Sequence, residues 1–350
     1  MQKTNSKRNT TIDVIKGLLI LFVIFGHINI DVSVRRLLLA PFWENSAVPM
    51  FLLISGFLYS KSFIKNDIDT FTKAYNIKNI AKKVLRFLIP FSIFFIFEIL
   101  LYFVVNNNEF QSFINNNLSI HFSIDNYIPH ITNIIWMYIK GGEGPGSYYI
   151  PLMIEFILVF PLLYFLIKKH KEKGMIACAI ITIIYNLLTK YINLYFYASI
   201  SNLLCSLFVI AIGIYASMYN IDYKNKLIYI GMIVGIIYIV LVKYLDYSPF
   251  IFHNLPSRAL PACLLWWPIV VYVIQNLKLN NKFLAKIGSI SFDVLLVQKV
   301  FFLFMNIVVY YFIDNAILQI IIIYLIIIIV SIVFNKFEIK ITNSIIKKIS

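Results

Sequence analysis

The sequence predicts an all-α, polytopic membrane protein with about ten transmembrane helices and both termini cytoplasmic. Three observations carry that expectation. Of 350 residues, 60% are apolar and only 13% charged, and the mean hydropathy is +0.82, a balance foreign to water-soluble globules. Runs such as Ile317 to Val333 are too long and too uniformly apolar for a core of this size, so the bilayer must be their solvent. The Lys and Arg residues fall between such runs. The same composition excludes soluble enzymes, disordered tails and secreted disulfide scaffolds, and the formal charge of +15 reads as membrane topology and not as nucleic-acid binding.

Windows of about 20 apolar residues place spans at 12–30, 47–64, 87–105, 148–167, 175–192, 199–218, 227–245, 259–276, 289–313 and 316–335. The first follows Lys3, Lys7 and Arg8 as a signal peptide would, but no small-residue cleavage site comes after it, so it is read as a retained span. With the N-terminus inside, 23 of the 31 Lys and Arg lie on inner segments and span ends, 6 lie on outer ones, and Lys16 and Lys299 sit within spans. That asymmetry is what the positive-inside rule demands.

Two segments outside the spans stand out. Residues 75–86 carry Ile77, Ile80, Ala81 and Val84 on one helical face and Lys78, Lys82 and Arg86 on another, the pattern of an amphipathic helix lying on the inner leaflet. The outer loop 106–147 is Asn-rich, then apolar, and ends in the glycine-rich stretch Gly141 to Gly146. That stretch lacks the Gly-Lys-Ser/Thr ending of a phosphate loop. No internal repeat marks the chain, which is read as a single membrane domain over 1–350. Cys178, Cys205 and Cys263 occupy separate apolar runs without metal-site spacing, so neither disulfides nor a metal centre are expected.

Ionisable side chains inside spans are costly and suggest function. Here they are Asp13, Lys16, His27, Glu98, Glu155, Asp293 and Lys299. The 11 steps from Lys16 to His27 at 100° each make three turns plus about 20°, so both point the same way, with His27 about 16 Å further outward. Asp13 joins the same polar stripe. An interfacial Asp13–Lys16 ion pair with a headgroup-level histidine fits these residues too. Arg35, Arg36, Arg258, His121 and His130 read most simply as solvated outer surface.

Thr11-Ile12-Asp13-Val14-Ile15-Lys16-Gly17, then Val23-Ile24-Phe25-Gly26-His27, then Val48-Pro49-Met50-Phe51-Leu52-Leu53-Ile54-Ser55-Gly56-Phe57-Leu58, resembles the signature of the acyltransferase family 3 integral-membrane O-acyltransferases. The resemblance is dense over about the first 60 residues and continues as a ten-helix layout. It implies that Lys16 and His27 are catalytic, and it carries a basic pair before the third span onto Lys83 and Arg86, with Lys in place of the usual first Arg. Gly146-Ser147-Tyr148-Tyr149-Ile150-Pro151 is similar to the entry of the fourth span among polysaccharide O-acetyltransferases. Ser291 to Gln298 is similar to a late segment that often ends in His, so Gln298 is a departure.

The activity so implied is acetyl transfer from acetyl-CoA, as co-substrate, to a hydroxyl of a bacterial surface polysaccharide or its lipid-linked precursor, in the inner membrane. Neutral His27 would serve as general base, Lys16 would stabilise developing charge or hold the donor, and Lys83 and Arg86 would meet the phosphates of coenzyme A. Lys83 and Arg86 also suit anionic lipid. Tyr148 and Glu155, seven residues apart, would touch the acceptor sugar, although a packed aromatic and a Glu155–Lys299 pair account for the same pattern. The partners expected are membrane lipid and a carbohydrate acceptor, with no nucleic acid and no metal. A transporter or flippase for a lipid-linked saccharide is the alternative, since many helices and a buried polar stripe serve translocation as well.

Overall fold

The computed structural model describes residues 9–105, 131–191, 203–247, 260–304 and 306–349. Every regular element among them is helical. Asn9 opens α1 (Thr10–His27), its side chain accepting from the Thr11 N–H at 3.0 Å, as helix N-caps do. Asp31 caps the short α2 (Val32–Leu37) by accepting from the Ser33 N–H at 2.7 Å, and hydrogen bonds from the Ser33 side chain and backbone hold its carboxyl below the usual range. A turn of helix, α3 (Ala40–Trp43), leads through a 3₁₀ turn at Glu44–Ser46 into α4 (Ala47–Lys65). Then come α5 (Phe71–Ala74), α6 (Ile77–Val105), α7 (Ile131–Lys140), α8 (Tyr149–His170) and α9 (Glu172–Tyr191). The chain continues as α10 (Leu207–Met218), α11 (Lys226–Ile239), α12 (Leu260–Asn276) and α13 (Lys282–Ser289). It ends as α14 (Ser291–Phe304), α15 (Asn306–Phe312) and α16 (Ala316–Ile349).

Among the described residues, six stretches are long and apolar enough to cross a membrane: Thr10–His27, Ala40–Lys65, Phe71–Val104, Tyr149–His170, Lys226–Tyr244 and Ala316–Lys348. Leu204–Met218 and Ala262–Asn276 are shorter apolar helices. The protein is therefore a multi-pass membrane protein. One boundary differs from the sequence reading. The amphipathic segment 75–86 is no separate inner-leaflet helix but the first turns of α6, which runs unbroken past Pro90. The apolar face of Ile80, Val84 and Leu88 leads directly into the span, so nothing in the pattern ends the helix, and transmembrane helices tolerate proline where neighbours re-satisfy the backbone. Of the outer loop 106–147, residues 106–130, with His121 and His130, lie outside the described residues, as does Arg258; the remainder is α7 and the glycine turn.

The chain divides into two compact units. The first comprises Met1–Ala74, Phe160–Tyr195 and Leu203–Ser291. Its helices meet backbone to backbone at glycines. A Cβ at Gly17 would collide with the Leu284 carbonyl and one at Gly288 with the Asp13 carbonyl, so α1 and α13 pack as closely as two helices can. Thr11 closes the same seam, donating to the Leu277 carbonyl at 3.2 Å and accepting from the Leu279 N–H at 3.0 Å. The second unit comprises Tyr75–Val159, Phe196–Asn202 and Phe292–Ser350. Within it α6 packs on α16, with Phe94 edge-on to Phe334 at 4.6 Å.

Candidate active site

In the first unit, Lys16 and His27 lie on one uninterrupted helix, so their shared direction, derived from 100° per residue, holds along α1. Both are half-buried, Asp13 is buried, and His27 is the last residue of the helix. The chain then reverses, and residues 31–46 fold back as a cap over the last two turns of α1. Trp43 packs its ring on Phe22 (4.5 Å) and Phe25 (4.8 Å). Arg35 is the hub of the cap. Its guanidinium donates to the carbonyls of Ile28 (2.5 Å) and Gly26 (3.5 Å), the two residues flanking His27, pairs with Glu44 (2.5 Å), and lies 5.4 Å from the centre of the Phe25 ring. Arg36 pairs with Asp246 at 2.7 Å, and Trp266 donates to the Phe42 carbonyl at 2.6 Å. The sequence reading of Arg35 as solvated surface is thus corrected, since Arg35 is half-buried and tied to the end of α1, whereas the Arg36–Asp246 pair is exposed. The available signal was the opposite charge of Glu44 across Pro41 in a short segment between two apolar runs.

The second unit holds a sealed charge cluster. Lys299 on α14 donates to Glu98 on α6 at 2.7 Å and to the Gly141 carbonyl at 2.8 Å, while the other Glu98 oxygen accepts from the Glu143 N–H at 2.7 Å. The Lys299 ammonium also sits 5.3 Å from the centre of the Phe91 ring. Glu98 is 0% exposed and Lys299 2%. Lys299 therefore takes Glu98 as its carboxylate. The loop can enter because Gly141, Gly142, Gly144 and Gly146 all have φ between +84° and +90°, which favours glycine, and a Cβ at Gly142 would strike both charged groups. Tyr148, two residues beyond this turn, is exposed, and Glu155 on α8 is half-buried. Lys83 is half-buried and Arg86 exposed, both in the first turns of α6. Asp293 accepts from Asn335 at 2.8 Å.

Gln298, where the related segment often ends in His, is fully buried, and neither atom of its amide meets a hydrogen-bond partner among the described residues. Such a group costs about 1–3 kcal/mol if left unsatisfied. Among the described residues no cluster of His, Cys, Asp and Glu is placed to hold a metal.

What this arrangement belongs to is decided by one comparison. A family model described as an acyltransferase domain, that of acyltransferase family 3, matches residues 9–336. The chain is a member of acyltransferase family 3. The match begins at the cap of α1 and ends inside α16, so it takes in both units. No curated protein and no solved structure matches the chain. As a family 3 acyltransferase it is a membrane enzyme that uses an acyl donor.

Proposed function

We propose that this acyltransferase moves an acetyl group from acetyl-CoA to a hydroxyl of a bacterial surface polysaccharide or its lipid-linked precursor. It does so in the inner membrane, with ten spans and both termini in the cytoplasm. The observation that carries the reading is the placement of Lys16 and His27, the residues that the sequence resemblance makes catalytic, on one face of the continuous helix α1.

A sugar hydroxyl is a weak nucleophile at neutral pH, and His27 removes its proton as the oxygen attacks the thioester carbonyl carbon. The carbon–sulfur bond breaks, an ester forms, and the proton taken by His27 passes to the departing thiolate. Lys16 stabilises the oxyanion or holds the donor. Lys83 and Arg86 bind the phosphates of coenzyme A, a task for which a guanidinium and an ammonium three residues apart are suited. Tyr148 and Glu155 contact the acceptor, the exposed ring by stacking and the carboxylate by hydrogen bonding. The test is to express the protein and its His27→Ala variant at equal levels and to measure acetyl esters on surface glycan by mass spectrometry. Esters made by the wild type and absent from the variant support the reading; equal ester content in both ends it.

A further inference from the structure

Most glycines in the described helices of the first unit have a steric reason to be there. Gly17 and Gly288 lie at the α1–α13 seam, Gly56 and Gly213 let α4 and α10 meet, and at each a Cβ would run into a backbone carbonyl. Gly26 does not follow this rule. It is helical, exposed, adjacent in sequence to His27, and among the described residues a Cβ built on it meets nothing within 4 Å. A glycine inside a helix is less favourable than alanine there, so a position that needs no glycine for packing forgoes stability. The backbone at this point is also held from the other side. Arg35 donates to the Gly26 and Ile28 carbonyls, which fixes the last turn of α1 while leaving the Gly26 Cα uncovered. Phe22, one turn earlier on the same face, is half-buried under Trp43, so the uncovered backbone is confined to Gly26.

We propose that the bare backbone at Gly26 is the surface on which the acyl acceptor lies as it reaches His27, and that Gly26 sets how closely it approaches. The acceptor is then a hydroxyl-bearing sugar unit, one face of its ring laid against the helix backbone where any side chain would lift it away from the imidazole. Glycine is the residue used where a ligand must come close to the main chain. This inference rests on the reading of His27 as the base. Gly231 on α11, where a Cβ also meets nothing within 4 Å, provides the internal control.

The experiment compares Gly26→Ala, Gly26→Leu and Gly231→Leu in the full chain. It measures acetyl esters on surface glycan in cells at matched protein level, acetyl-CoA affinity of the detergent-purified protein, and thermal midpoint. For Gly26→Leu the expected result is an ester content lower by about tenfold or more, with acetyl-CoA affinity within about threefold of wild type. Gly26→Ala should fall several-fold and melt no lower than wild type, because alanine suits the helix better. Gly231→Leu should match wild type in esters. Wild-type ester content in Gly26→Leu overturns the inference, as does a loss shared by ester formation, acetyl-CoA binding and thermal midpoint, which would mean that the side chain disrupts the fold. A wild-type result in Gly26→Leu beside an inactive His27→Ala rejects only the acceptor surface. Full activity in His27→Ala rejects the base itself.

Discussion

Glu98 and Lys299 in the second unit are sealed from solvent, whereas Lys16, His27 and Arg35 in the first are each half-buried. The sealed cluster uses its hydrogen-bonding capacity inward. One carboxylate oxygen serves Lys299, the other the Glu143 N–H, and the ammonium closes on Gly141. Groups so occupied hold a fold together and offer nothing to a substrate. The open cluster pairs charges at its rim, with 18% and 13% of the Arg35 and Glu44 side chains exposed, and leaves the end of α1 accessible. Burial thus separates a clasp from the proposed site, and the contrast can be tested residue by residue.

The largest expected effect is on chemistry. His27→Ala should lower acetyl transfer by about 10² to 10⁴, the usual worth of a general base, while its thermal midpoint in detergent stays close to wild type. Loss of the fold together with activity would make His27 a second clasp and erase the distinction. Glu98→Gln should show the reverse. Removing one partner of a buried ion pair costs about 3–5 kcal/mol, which a denaturant titration of the purified protein reads, and Glu98→Gln/Lys299→Met should recover part of that loss. Gly142→Ala comes next. A side chain at φ +84° carries about 1–3 kcal/mol of strain, and it also displaces the Lys299–Glu98 contact, so its midpoint should drop below that of Gly26→Ala. Arg35→Gln should reduce turnover about tenfold, equivalent to about 1.4 kcal/mol, with little change in acetyl-CoA affinity, because it loosens the end of α1 and not the donor's contacts. Lys73→Ala, which removes an exposed pair with Asp69 at 2.7 Å, should change neither midpoint nor turnover.

Apolar runs made most of the fold legible. Ile317 to Val333 leaves no option but α16, and six of the ten expected spans coincide with described helices long and apolar enough to cross a membrane. The misplaced boundary at residue 86 arose because a basic, amphipathic stretch and a membrane span can be one helix, and hydropathy alone sees two. Pairings were harder to read. Glu98 and Lys299 are 201 residues apart, and both Glu98 and Glu155 offered Lys299 a carboxylate at span depth, so composition could not choose between them. The glycines of residues 141–146 were visible as a turn, yet what they make room for became clear only with the two charges in place. The Lys16–His27 register was fully legible because it depends on helical pitch alone. The hold of Arg35 on the Gly26 and Ile28 carbonyls was not, since it follows from a chain reversal that no periodicity announces.

The glycine seam between α1 and α13 has a mechanical consequence. With Gly17 and Gly288 in backbone contact and Thr11 stitched to the Leu277–Leu279 strand of chain, α1 can neither slide nor roll without breaking the closest joint in its unit. The His27 imidazole is thus carried on a helix locked to its neighbour, and any group that meets it must come to it.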